Sequence, residues 1–225
     1  MAIETPGDEA AREYLLDAAM GPGRKRKSSE KLRRGRLPSP GLAFVARDPA
    51  GRVVGTVRLW DVAAGLFSSP CKGEVARRAG GGVAQPHPPA SQAPSPCRGG
   101  KSALLLGPLA VDPAMRSAGI GGALMRHAID EARRLGHGAI LLVGDPEYYA
   151  RFGFSAGKTG ALAMPGPFEK RRLLALELVD GWLDGAKGVI APVGRRIERV
   201  SPADGAARFA RVVLARSKKV LKPRS

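Results

Sequence analysis

A group of glycines follows an arginine where an apolar run of the chain ends and an amphipathic pattern begins. The segment reads RSAGIGG and contains Arg116, Gly119, Gly121 and Gly122. The first N–H groups of a helix have no partner within it, and together with the helix dipole they attract anions. Glycines leave room for a bulky phosphate, and the arginine adds a positive charge. The segment therefore predicts a phosphate or pyrophosphate cradle, although its glycine order fits neither the dinucleotide pattern G-x-G-x-x-G nor the P-loop.

The residues on both sides of this cradle predict a strand, a helix and a second strand. The run SALLLGPLAV, residues 102–111, is of strand type, but Gly107 and Pro108 interrupt it. Because proline cannot donate a ladder hydrogen bond, we expect a bulge or a splay there and a gap beside the neighbouring strand. The helical pattern ends at Gly136, and a buried strand follows over residues 138–144. These elements predict a right-handed crossover between two parallel strands.

The outer parts of the chain predict further elements of the same domain. An amphipathic helix is expected over residues 8–20. The runs 42–47 and 52–60 flank the turn sequence DPAG and predict an antiparallel hairpin. A late strand is expected within residues 164–178, and residues 185–193 complete the fold.

Two motifs resemble those of the GNAT N-acetyltransferase superfamily. RSAGIG, residues 116–121, is similar to the acyl-CoA loop pattern R/Q-x-x-G-x-G/A, and the expected splayed strand LAVDP precedes it. GDPEYYARFGF, residues 144–154, is similar to the second hallmark, a short helix that carries a tyrosine and ends in Gly-Phe. The flanks GRLPSPGLAFVARD, GTVRLWDV and MPGPFEKRRLLALEL resemble the YhbS-like bacterial branch. The resemblance covers residues 21–192 without the insertion described below, and it implies an α/β GNAT fold whose mixed central sheet is splayed at its middle, with helices on both faces.

The resemblance implies an N-acetyltransferase that moves an acetyl group from acetyl-CoA to an amine by direct attack. The splayed strand would bind the pantetheine arm through its backbone, and the loop amides would hold the pyrophosphate. The residues implied in cofactor binding are Leu109, Ala110, Val111, Arg116, Ser117, Ala118, Gly119, Ile120, Gly121 and Gly122. No metal is expected, because the cysteines and histidines lack the spacing of a metal site.

Tyr149 occupies the position of the general acid in this resemblance, four residues before Gly153. An ordinary tyrosine pKa of about 10 keeps the hydroxyl protonated, so it can donate to a departing thiolate. The neighbouring Tyr148 is expected to be a packing residue. The base is left open, because no carboxylate lies between Lys101 and Val111. Asp61 at the end of the hairpin is a candidate, and deprotonation through water is the alternative.

Residues 65–100 interrupt the domain with a segment rich in proline, glycine and serine that has no helical or strand period. Such a composition offers little apolar surface to offset the entropy of ordering. We predict a flexible insertion, and a functional lid is the alternative. Its two cysteines, Cys71 and Cys97, indicate neither a disulfide scaffold nor a zinc site. The predicted organisation is therefore one domain over residues 1–193 that contains this insertion, followed by a basic tail over residues 194–225.

The formal net charge of +17 is concentrated in the basic block 23–36 and in the tail. These segments are interpreted as solvated surface, with contact to nucleic acid, the ribosome or an acidic partner as the alternative. The chain lacks a long apolar run and a secretory start, which predicts a cytoplasmic protein without a membrane span. The acceptor, a small-molecule amine or a protein amine, stays open, as does the choice between monomer and homodimer. The competing functions are a non-catalytic acyl-CoA-binding protein and, ranked last, a protein that binds nucleic acid.

Overall fold

One long strand organises the sheet of this computed structural model, which describes residues 1–65 and 100–197. The predicted insertion over residues 65–100, apart from its two end residues, lies outside the described residues, as do Cys71, Cys97 and most of the predicted tail. Residues Met1–Arg195 group by their contacts into one compact unit. Within the described residues, no helix is both long and apolar enough to cross a membrane.

The described residues form short and long strands joined by helices. The strands are β1 (Ala2–Ile3), β2 (Ala43–Arg47), β3 (Val53–Ala64), β4 (Lys101–Leu106), β5 (Ala110–Val111), β6 (Ala139–Val143), β7 (Leu162–Ala163), β8 (Leu173–Glu177), β9 (Gly188–Val189) and β10 (Ala191–Pro192). The α-helices are α1 (Glu9–Met20), α2 (Glu30–Arg33), α3 (Ile120–Arg134) and α4 (Pro146–Tyr149), and 3-10 turns cover Pro6–Asp8, Pro22–Arg26, Pro113–Met115, Ala150–Phe152 and Lys170–Arg172.

The main sheet has the strand order β1-β2-β3-β4-β6-β8 and is antiparallel except where β4 pairs with β6. The first half of β3 pairs with β2 and β5, and the second half pairs with β4 and β10. A small parallel pair, β7 and β9, forms a separate sheet. The expected mixed sheet and parallel crossover are confirmed.

The sheet splays where the proline-containing run was expected to break. At Gly107 the backbone N–H donates to the Arg58 carbonyl at 2.8 Å, and the chain then leaves β4. A β-carbon on Gly107 would lie 2.2 Å from Cζ3 of Trp60, so only glycine fits between the strand and that ring. After the break, β5 stays beside β3, whereas β4 pairs with β6 through Leu104 and Leu105. A gap therefore opens between β5 and β6.

Helix α3 covers one face of the sheet through the buried side chains of Leu124, Met125, Ala128 and Ala132. Replacing a buried leucine of this kind by alanine typically costs about 2–5 kcal/mol. Gly55 on β3 allows a close approach, because a β-carbon there would lie 2.9 Å from both Ile120 Cγ2 and Leu124 Cδ1. This packing places the start of α3 beside the splay.

The opposite face of the sheet carries a second core, to which α2 contributes the fully buried Leu32. Helix α2 lies within the basic block 23–36. The sequence predicted that this block is solvated surface, which is wrong in part because some of its side chains are buried. Arg24 is buried and donates to Glu13 at 2.5 Å and to Asp17 at 2.6 Å. The side chain of Arg33 is only 9% exposed, and its guanidinium lies 5.3 Å from the centre of the Trp60 ring. Burial of an apolar residue and the pairing of charges fold this block onto the sheet.

Candidate active site

A cavity of about 500 Å³ occupies the gap between β5 and β6. Residues 106–111 line one wall, and Gly121 at the start of α3 adjoins them. Residues 143–145 line another wall together with Tyr148 and Tyr149 of α4. The splayed strand, the glycine cradle and the tyrosine helix therefore meet at one cavity, although they come from separate stretches of the chain.

The predicted cradle forms the loop before α3 and the first turn of that helix. Gly119 precedes the helix with a φ of +75°, a left-handed conformation that glycine adopts without strain. Ala123 N–H donates to the Gly119 carbonyl at 3.0 Å, so the amides of residues 120–122 precede this first intrahelical bond. Arg116 and Gly121 line the cavity. The other predicted loop residues lie in the same loop and turn but outside the cavity lining; they are Ser117, Ala118, Gly119, Ile120 and Gly122.

Gly121 is the cradle glycine that lines the cavity. A β-carbon at this position would lie 3.3 Å from the Tyr148 hydroxyl and 3.5 Å from Val111 Cγ2. A longer side chain would therefore have to enter the space between α3, β5 and α4. The position fits a bound phosphate, because the backbone can approach the ligand without obstruction.

The predicted pantetheine-binding residues Leu109, Ala110 and Val111 all line the cavity. Ala110 pairs with Thr56 and Val111 with Gly55 on one edge of β5. No described strand pairs with the other edge of β5. Free backbone groups on a strand edge can bind an extended, amide-containing chain by adding ladder-type hydrogen bonds.

Tyr149 lies at the end of α4 and lines the same cavity. Its ring contacts Tyr148 edge to face with centroids 4.9 Å apart, and it contacts Phe154 similarly at 6.0 Å. The pKa of the Tyr149 hydroxyl is raised to about 12, mainly by burial. Tyr148 and Asp145 also act to raise this pKa, whereas the positive charge of Arg172 acts to lower it. This hydroxyl is thus held protonated and available as a donor.

Tyr148 contributes more to the cavity than the packing role expected for it. Its side chain lines the cavity and its hydroxyl reaches the first turn of α3 beside Gly121. The guanidinium of Arg151 covers its ring at 4.0 Å from the centroid. Helix α4 has a single turn, and both of its adjacent tyrosines reach the cavity.

Asp61, the candidate base, lies on β3 opposite Leu104 and is not among the residues that line the cavity. Its Oδ1 accepts a hydrogen bond from the Ser39 hydroxyl at 2.9 Å. The backbone carbonyl of Asp61 accepts from the N–H groups of Val193 and Gly194, both at 3.1 Å. The structure does not bring Asp61 to Tyr149.

Several charged residues of the cavity were not singled out in the sequence. Asp145 lies two residues beyond the end of β6, is exposed, and is the sole carboxylate among the described residues that line the cavity. A hydrogen bond shared with Glu147 raises the pKa of Asp145. Arg172 approaches from the turn before β8, and Lys27 from the segment before α2. Asp145 lies within the tyrosine motif and could have been found there. Lys27 belongs to the basic block 23–36, but nothing in the sequence indicated that it or Arg172 would line the cavity.

In the described part of the chain, no group of three or more histidine, cysteine, aspartate or glutamate side chains is placed to hold a metal ion.

Comparison with known proteins finds a matching family model and a curated relative. The model of the acetyltransferase (GNAT) domain matches residues 39–156, more than half of the chain. The uncharacterized N-acetyltransferase YhbS of Escherichia coli K12 is 31% identical over 85 residues, which cover 38% of this chain and 51% of YhbS. The chain thus spans about half the length of the curated relatives that it matches.

The structural comparisons find similar folds. The crystal structure of Escherichia coli YhbS in complex with CoA matches with a TM-score of 0.61 and 23% identity, over 85% of this chain and 88% of that one. A GNAT acetyltransferase from Brucella melitensis in complex with acetyl-CoA matches with a TM-score of 0.46 and 24% identity, over 78% and 93% of the two chains.

Proposed function

Because this chain belongs to the GNAT acetyltransferase family, we propose that it transfers an acetyl group from acetyl-CoA to an amine. The observation that carries this proposal is the convergence on one cavity of the glycine cradle, the edge of β5 that no described strand pairs with, and Tyr149. The presence of CoA in the crystal structure of the related YhbS supports the choice of cofactor.

The residues that would hold acetyl-CoA follow from the cavity walls. The backbone of residues 109–111 would bind the pantetheine arm, and the amides of residues 116–122 would bind the pyrophosphate with the help of Arg116. The fit is supported at Gly121, which lines the cavity at the start of α3 and has no side chain to obstruct a phosphate. When bound, acetyl-CoA supplies an acetyl group that is activated as a thioester.

Tyr149 is proposed as the general acid. In the transfer, a bond forms between the amine nitrogen and the acetyl carbon, and the carbon–sulfur bond of the thioester breaks. Tyr149 gives its proton to the departing thiolate, so the coenzyme leaves as a neutral thiol. Such a general acid typically contributes a factor of about 10² to 10⁴ in rate.

The attacking amine must lose a proton, since an ordinary lysine-like amine has a pKa of about 10.4. The acceptors for this proton at the cavity are water and the carboxylate of Asp145. The role of base considered for Asp61 is not carried into this proposal, because its carboxylate is hydrogen-bonded to Ser39 outside the cavity lining.

The test measures thiol release from acetyl-CoA by the purified protein with a panel of amines. We expect turnover with at least one class of amine. Tyr149→Phe should lower kcat roughly a hundredfold, because the hydroxyl is needed only as the thiolate departs, and should leave the acetyl-CoA Kd within a few fold by calorimetry.

Tyr14→Phe provides the matched control, since the Tyr14 side chain is 79% exposed and lies outside the cavity lining. If no amine releases thiol while acetyl-CoA still binds, the protein is a non-catalytic acyl-CoA-binding member of the family. If Tyr149→Phe keeps full turnover, Tyr149 is not the acid.

A further inference from the structure

Positive charge dominates the cavity. Among the described residues that line it, Asp145 is the one acidic residue, whereas the basic side chains are Arg24, Lys27, Arg33, Arg116 and Arg172. A partly enclosed site lined by charges of one sign repels ligands of that sign and concentrates ligands of the other.

Two of these cations are already neutralised within the fold. Arg24 is paired with Glu13 and Asp17, and Arg33 is paired with Glu30 at 2.9 Å. Lys27, Arg116 and Arg172 make no ion pair with any of the described residues. Unpaired cations that line a cavity are available to a bound anion.

Arg116 belongs to the cradle, so its charge is accounted for by the pyrophosphate. Lys27 and Arg172 come from other parts of the chain, so binding of the pyrophosphate by the cradle does not account for their charges. Arg172 lines the cavity together with Tyr149 and Asp145, and its positive charge acts to lower the pKa of both. An anion bound at Arg172 would therefore lie near the point of acetyl transfer.

We propose that the acceptor is a small amine that also carries an acidic group, a carboxylate or a phosphate, bound by Arg172 and Lys27. This inference rests on the proposed acetyltransferase function. The acceptor's ammonium group would lie toward Asp145, the one carboxylate of the described lining, from which it can pass its proton on.

The same charges disfavour acceptors that carry several positive groups. A polyamine would bring further cations to Lys27 and Arg172 without an anion to offset them. The net charge of +17 for the whole chain acts in the same direction at long range.

The experiment compares amines in matched pairs that differ by one acidic group. The pairs are arginine and agmatine, tyrosine and tyramine, and phosphoethanolamine and ethanolamine, so that carboxylates and a phosphate are tested separately. With acetyl-CoA saturating, thiol release should show a kcat/KM at least about tenfold higher for the acidic member of a pair, as expected for one charge-assisted contact.

Variants then locate the contact. Arg172→Gln and Lys27→Gln should each raise the KM for the acidic member about tenfold or more, with kcat and the acetyl-CoA Kd changed much less. The KM for the other member of the pair should rise much less, so the ratio of the two KM values reports the loss of the contact. Lys170→Gln and Lys25→Gln are the matched controls, since these neighbouring cations lie outside the cavity lining and should leave both KM values unchanged.

The outcomes separate the two proposals. Equal kcat/KM values within the pairs, or a preference for the members without an acidic group, would overturn the acidic acceptor and leave the acetyltransferase function standing. If no amine in the panel causes thiol release, both proposals are overturned. An unchanged KM in both Arg172→Gln and Lys27→Gln would also overturn the proposed contact.

Discussion

The ring of Tyr149 lies directly against Gly144, the residue that follows β6. A β-carbon built on Gly144 would be 2.2 Å from Tyr149 Cε2 and 2.7 Å from Cδ2. The end of the strand therefore determines where the tyrosine ring can lie, and through the ring it determines where the hydroxyl enters the cavity. The glycine of the GDPEYY motif is explained by this contact.

Gly144→Ala should displace the Tyr149 ring and lower kcat by roughly tenfold or more, because small errors in the position of a catalytic group are costly. The added methyl group also overpacks the site, which typically costs about 1–3 kcal/mol of unfolding free energy. Steady-state kinetics and chemical denaturation measure the two effects. Gly160→Ala is the control, since nothing lies within 4 Å of a β-carbon there. Full turnover in Gly144→Ala would mean that the ring position does not matter.

Gly121→Glu should weaken acetyl-CoA binding roughly tenfold or more, because it places bulk and negative charge where the phosphate is proposed to lie. The fold should be retained, since glycine is a poor helix former and its replacement favours the helix. Gly121→Ala is the graded control, because its methyl group meets the movable Tyr148 hydroxyl at 3.3 Å and carries no charge. Calorimetry that finds the same Kd for Gly121→Glu and the wild type would refute the cradle.

Residues 66–99 should be replaceable by a Gly-Ser-Gly-Ser linker without loss of acetyl-CoA binding. The ends of the segment already meet, since Ala64 pairs with Lys101 and a β-carbon on Gly100 would lie 2.1 Å from the Gly65 carbonyl oxygen. Closing a shorter loop should raise the free energy of unfolding by about 1–2 kcal/mol. The linker variant keeps Gly65, where a β-carbon would lie 2.1 Å from the Lys187 carbonyl oxygen. Loss of acetyl-CoA binding would instead support the lid interpretation.

His137, just beyond α3, should make stability fall in mild acid. Burial lowers its pKa in the folded protein, and the nearby carboxylate of Asp61 acts in the opposite direction. The unfolded chain therefore binds the proton more readily, so the free energy of unfolding decreases as the pH falls through the ordinary histidine pKa of about 6.5. The loss is complete below the lowered pKa of the folded state.

Denaturation of wild type and His137→Gln at several pH values between about 5 and 8 measures this contribution. Glutamine does not titrate, so the stability of the variant should depend less on pH in this range. Parallel curves for the two proteins would show that His137 does not contribute to the pH dependence.

The motifs of the cavity could be predicted because each is local. The cradle over residues 116–122 is a strand-to-helix turn. Its closely spaced glycines, Gly119, Gly121 and Gly122, indicate both the backbone conformation and the open space that a phosphate site needs. The tyrosine motif over residues 144–154 likewise holds the ring and the glycine that accommodates it within a few positions. Helices α1 and α3 and strands β2 and β6 follow from the periodicity of apolar residues, which reports on immediate neighbours.

Contacts between distant parts of the chain decided the rest. Leu32 lies in a basic segment whose composition predicts exposure, but it is fully buried beneath the sheet. Asp61 was a candidate base because it lies at the end of the hairpin, but in the fold its carboxylate accepts a hydrogen bond from Ser39 and lies outside the cavity lining. Lys27 and Arg172 are 145 positions apart in the sequence, and both line the cavity. Because burial and charge pairing depend on which segments pack together, and periodicity carries no information about partners far along the chain, only the tertiary structure could place these residues.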